Sequence, residues 1–272
     1  MEINKKNSRL IVKCCYDHLF AETRSRGEEV SRREIDGYMK PKRVRNLEDV
    51  FRQMVQSLQN ANMIPNVIKL KQRNRGFLLN YNYEKILSKY NGNPTRLRTC
   101  MKELNPDIKS NEKTWRNFSE GIVDAARWVR QFKDFDSFKK YLKVFQDYGD
   151  EGITLLAESI GDGRIKGLRF TLALDFLKEL GLKISSKCAK PDVHVMETLK
   201  GVGFIKKKDE REAFKAIKEI ATRIQKPEYW VDKLIWLSCS GNFYNKDKRY
   251  WSKKEAPKYR AKLIRLIKAK QG

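Results

Sequence analysis

The sequence predicts an all-α protein, and three observations carry that reading. Apolar residues recur at helical spacing along most of the chain. Helix breakers divide those stretches at short intervals. No segment shows the clear alternation of a strand, and no internal repeat is visible.

The elements follow in order. Asn46 is a good N-cap residue ahead of an acidic first turn, Glu48 and Asp49. Val50, Phe51, Met54, Val55 and Leu58 then form one apolar stripe. Similar patterns run through 83–90, 95–104, 114–132 and 137–145, with a shorter one at 151–159. A long helix is expected over about 165–180, with Gly181 at its C-terminal end. Three more are expected over 193–202, 210–225 and 229–238. Asn91-Gly92-Asn93-Pro94, Gly161-Asp162-Gly163 and Lys190-Pro191 are among the separators. Trp115, Phe118, Trp128 and Phe132 sit at helical spacing and are expected in a core. The stretch 24–45 is basic and rich in turn residues, suited to an ordered flank or to a loose arm on DNA.

Charge is the first functional clue. Against 34 acidic residues stand 59 Lys and Arg, a net charge of +25. Such an excess predicts a polyanionic partner, since each neutralised phosphate releases a counterion. A membrane is not that partner by spanning, because no run of about 18 apolar residues exists. The first twenty residues lack the apolar stretch and cleavage site of a signal peptide, so an intracellular protein is expected. Five cysteines, Cys14, Cys15, Cys100, Cys188 and Cys239, are odd in number and form no C-x-x-C pair. With two histidines only, His18 and His194, neither a disulfide framework nor a transition-metal site is expected, and no cofactor is implied.

One segment joins two apolar helices through Gly161-Asp162-Gly163-Arg164. A Gly-x-Gly link permits a tight turn and bares backbone N–H groups that suit a phosphate. Arg164, Lys166 and Arg169 add positive charge. Taken alone, such a link is more often a plain turn. Downstream, Asp192 follows Pro191 and opens an apolar helix, where a carboxylate serves as an N-cap.

These segments together resemble the helix-hairpin-helix/Gly-Pro-Asp superfamily of DNA glycosylases. Gly161-Asp162-Gly163-Arg164 is similar to the family's hairpin, and Pro191-Asp192-Val193-His194 to its proline-aspartate segment. Ser57-Leu58-Gln59-Asn60-Ala61 resembles the early helix end with an inserting glutamine, and Trp236-Leu237-Ser238-Cys239-Ser240-Gly241 the late W-L-x-x-x-G segment. The matches lie in family order and span most of the chain. There are departures: Ile160 stands where a proline usually precedes the hairpin, and 27 positions separate Ile165 from Asp192, a long connector. The cysteines of iron–sulfur members are missing, so no cluster is implied.

The resemblance implies two helical lobes with a cleft between them, 46–180 carrying the hairpin and 1–45 with 181–272 forming the other. It implies a monomer acting on double-stranded DNA with a damaged or modified base. Asp192 would stabilise the oxocarbenium-like sugar and orient water, its bland alternative being a helix cap. Gln59 would fill the gap left by a flipped nucleotide; a surface glutamine is the alternative, with Gln53, Gln56 and Asn60 as neighbours. Gly161, Gly163, Arg164 and Lys166 would position DNA phosphate. His194 is expected to hold the start of its helix. Some members carry a lysine after the hairpin that forms a Schiff base and cuts the strand. A gapless G-x-G-x-K register puts Ile165 there and turns Lys166 away by ~100° of helix, so the resemblance favours a monofunctional glycosylase. A bifunctional enzyme using Lys166 and a non-catalytic DNA-binding module remain alternatives. A PD-(D/E)xK nuclease fits poorly: Glu197-Thr-Leu-Lys200 and Glu212-Ala-Phe-Lys215 carry one residue too many.

Overall fold

The computed structural model describes residues 2–61, 78–106, 110–161, 163–240, 244–245, 248–249 and 255–271. Among them the structure is all-helical, with one two-residue antiparallel ladder pairing Tyr244 with Arg249 and Asn245 with Lys248. The chain divides into two compact units. One is Met1–Pro41 with Ser186–Gly272, the other Lys42–Ser185.

The inner unit, Lys42–Ser185, holds α3 (Leu47–Ala61), α4 (Tyr83–Lys89), α5 (Pro94–Glu103), α6 (Glu112–Arg130), α7 (Phe135–Asp147), α8 (Gly149–Gly161) and α9 (Phe170–Glu179). The expected stripe of α3, from Val50 to Leu58, is buried without exception among its five members. It packs on α6 and α9. Trp115, Phe118 and Trp128 are core, as the spacing predicted, and Phe132 is half-buried against Trp128 with ring centroids 5.0 Å apart. Side chains cap most helices: Asn93 caps α5 ahead of Pro94, Asn111 caps α6 and Asp134 forms a reciprocal box with Ser137. Gly181 takes a left-handed φ of +63° just past α9, as its position suggested. A Cβ there would lie 2.7 Å from the Arg43 Cα, and beside it the Val44 N–H donates to the Leu180 carbonyl at 3.0 Å.

The outer unit is built from both chain ends: α1 (Lys5–Arg24), α2 (Arg32–Met39), α10 (Val193–Gly201), α11 (Glu210–Ile224), α12 (Glu228–Ser240) and α13 (Ala256–Ala269). Helix α12 is its hub and packs on all five others. The basic stretch 24–45 is ordered in part, since Ser31 and Glu34 form a capping box that starts α2. Among the described residues no helix is long and apolar enough to cross a membrane.

Candidate functional site

The link between α8 and α9 is longer than the Gly-x-Gly pattern suggests. A helix was expected from about Ile165, but α9 starts at Phe170, with Arg169 as an N-cap that makes no side-chain bond. The physical reason lies in residues 163–169. Gly163 and Gly167 have φ of +89° and +85°, which a continuing helix does not tolerate. Ile165 and Leu168 turn inward and are 1 % exposed, anchoring the link in the core. Asp124 of α6 accepts the Lys166 N–H at 3.2 Å, and burial pushes its carboxyl up from the ordinary value. Gly121, one turn earlier on α6, lets the strap approach: a Cβ there would meet the Lys166 carbonyl oxygen at 2.4 Å.

The outward side of this strap is cationic. Arg164, Lys166 and Arg169 are exposed. Gly161 closes the helix pair, since a Cβ would lie 2.9 Å from the Phe170 nitrogen. Gly163 has open space around it, but its N–H donates to the Gly161 carbonyl at 3.0 Å and so is already engaged. Asp162 lies outside the described residues. The register argument that set Ile165 against Lys166 by a helical rotation has no helix to act on, because both residues precede α9. On α9 the lysine is Lys178, buried and paired with Asp175 at 3.4 Å. Asn60 of α3 also donates to Asp175, at 3.3 Å.

Gln59 does not protrude. It is 1 % exposed, and its Nε2 has no hydrogen-bond partner among the described residues. A buried unpaired donor costs about 1–3 kcal/mol of desolvation.

In the outer unit Asp192 caps α10. Its Oδ1 accepts two backbone N–H bonds, from His194 at 2.9 Å and Val195 at 3.0 Å. Both fall on one oxygen, which fixes the carboxylate while its second oxygen takes no part in the cap. The residue is half-buried, behind a buried Pro191. His194 points elsewhere: its Nδ1 lies 3.1 Å from Arg260 Nη1. A guanidinium only donates, so Nδ1 is the acceptor in this contact. Arg260 of α13 is also paired with Glu197, which accepts from Lys208 at 2.7 Å. The Lys208 bond, with Arg260 and His194 nearby, holds the Glu197 carboxyl below its usual range. This network locks the first turns of α10 and therefore the direction of the Asp192 carboxylate.

Sequence reasoning missed Arg260 and Lys208, and met Glu197 only in the poorly fitting nuclease pattern. No motif spacing joins them, but Tyr259, Leu263 and Ile267 recur at helical spacing after Pro257 and would have revealed α13. The late W-L segment lies on α12, with Leu237, Ser238, Cys239 and Ser240 buried, while Gly241 lies outside the described residues. Comparison with protein-family models, curated proteins and solved structures found no match.

Proposed function

We propose that this protein is a monofunctional DNA N-glycosylase of the helix-hairpin-helix type, hydrolysing the glycosidic bond of a damaged or modified base in double-stranded DNA. The carrying observation is the Asp192 carboxylate. One oxygen is spent on two amide bonds that immobilise it, and the other is left for chemistry at a half-exposed position. A fixed carboxylate stabilises the positive charge that grows on the sugar as the bond breaks, and can accept a proton from attacking water. The net charge of +25 and the exposed Arg164, Lys166 and Arg169 ahead of α9 supply phosphate contacts.

Gln59 is not a wedge between bases in this reading, because its side chain is buried. Monofunctionality now rests on α9 rather than on the register: its lysine is buried against Asp175, leaving no amine on that helix free to attack the sugar. The rival lyase reading is favoured by the exposure of Lys166 in the strap.

The test is single-turnover base release from a panel of duplexes, each with one lesion, analysed with and without alkali. Asp192→Asn keeps the cap and loses the charge. Release from the best lesion should fall by ~10²-fold or more, with DNA binding retained. Near-normal release by the folded variant refutes the reading, and no release from any lesion by the wild-type protein favours a non-catalytic DNA-binding module.

A further inference from the structure

A second feature of the outer unit points to nucleic acid without involving Asp192. A solvent-open groove of ≈ 420 Å³ runs along α1, bounded by the start of α2 and the α11–α12 junction. Its floor is aromatic. Tyr16 and Phe20 stack with centroids 5.9 Å apart, and Trp230 lies 6.2 Å from Tyr16. Asp36 fixes the floor, accepting from the Tyr16 hydroxyl and, at 3.4 Å, from Trp230 Nε1. The rim is cationic. Arg32 lies over the Tyr16 ring at 4.5 Å and Lys226 over Trp230 at 5.5 Å, while Arg9 and Lys13 extend the row along α1.

The acidic groups in the groove are already committed. Asp17 pairs with Lys270 at 2.8 Å, and Asp36 holds the two rings with Arg32 at 4.0 Å. Arg9, Lys13 and Lys226 have no carboxylate partner among the described residues. Unpaired cations beside a fixed aromatic floor match a ligand that is both polyanionic and flat-ringed. The guanidinium of Arg32, already on Tyr16, and the half-buried Phe20 offer flat surfaces to an unstacked base.

We infer that this groove binds single-stranded nucleic acid, with phosphates along Arg9, Lys13 and Lys226 and a base stacked over Phe20 and Arg32. A duplex does not fit the aromatic floor, because its bases are stacked on both faces. An acidic peptide supplies charge but no need for the rings.

The experiment measures anisotropy of a labelled oligodeoxythymidylate and of a labelled duplex, on wild type, on the Arg9→Gln/Lys13→Gln double variant and on Phe20→Leu. The first pair alters exposed positions only, so the fold is kept. The double variant should lose roughly tenfold or more in single-strand affinity, and its slope of log affinity against log salt should flatten by about 1.4, two contacts at about 0.7 each. Phe20→Leu should weaken single-strand binding by roughly tenfold without changing the slope. Duplex affinity and base release should stay the same in both. Unchanged single-strand affinity and slope overturn the inference, as does an equal loss on duplex, or displacement of the oligonucleotide by an acidic peptide of equal charge. None of these results bears on Asp192, so the two proposals fail separately.

Discussion

Acidification should destabilise the outer unit through His18. This side chain sits on α1, 2 % exposed, with no partner for its Nε2 among the described residues. Burial first, with Lys262 in support, pulls its pKa down from 6.5 to about 4, against the opposing pull of Glu22 and of the Ser238 backbone. Between those two values the unfolded chain binds a proton that the folded chain refuses. Stability is therefore complete above about pH 6.5 and drains away as pH falls toward 4. At about 1.4 kcal/mol per pKa unit, the loss reaches about 3 kcal/mol, a large share of a domain's stability. Urea unfolding followed by tryptophan fluorescence, from neutral pH to about pH 4, measures it. The wild-type curve contains every carboxylate as well, so the quantity to read is the difference from His18→Leu, in which their contributions cancel. That difference should shrink in favour of the variant by about 3 kcal/mol on acidification. A difference that stays flat would refute the reasoning and mean that His18 meets its proton in the folded state.

Four further outcomes are expected. Gly121→Ala should destabilise by about 1–3 kcal/mol in thermal or urea unfolding, because its methyl would meet the Lys166 carbonyl at 2.4 Å and Leu58 at 2.9 Å. Lys178→Met should cost about 3–5 kcal/mol by leaving the buried Asp175 charge short of its ammonium, and the loss should be largely relieved in Lys178→Met/Asp175→Leu. Asp192→Ala should cost ~1 kcal/mol in unfolding while Asp192→Asn stays near wild type, separating the cap from the chemistry. Borohydride during turnover should trap no protein–DNA adduct, and an adduct that vanishes in Lys166→Gln would establish a lyase.

Much of the helical framework was legible. The α3 stripe, the aromatic core and the Gly181 stop follow from local rules, and the structure keeps each of them. The start of α9 was not legible, because Ile165-Lys166-Gly167-Leu168 reads like helix until tertiary contacts decide. Asp124 and Gly121, more than forty residues upstream, capture that strap, and no local pattern advertises such a partner. Helices α1, α2 and α13 went unread although the apolar spacing was there to read, as in Tyr259, Leu263 and Ile267 of α13. In the candidate site, Asp192 and its capping geometry were readable from Pro191 and the helix that follows. Its support through His194 and Arg260 spans 66 residues and was not. The burial of Gln59 was legible, since it stands four residues after Val55 and eight after Phe51 on the face of the apolar stripe, and only its missing amide partner was not.

The chain order of the two units bears on how the protein comes into being. Helix α1 leaves the ribosome well before its main partner α12, which lies roughly two hundred residues later. During synthesis α1 and α2 must wait with their apolar faces uncovered, while Lys42–Ser185 can already acquire its own core. That early folding does more than fill the delay. The Val44–Leu180 bond and the Arg43–Gly181 contact draw the entry and exit of the inserted unit together, so the chain on either side emerges from neighbouring points. The long closure that α1 and α12 would otherwise face shrinks to the short flanks beyond those points, and its entropic cost shrinks with it. The inner unit thus acts as a tie that prepares its host to assemble, and α10 to α13, synthesised after it, complete a half-built fold.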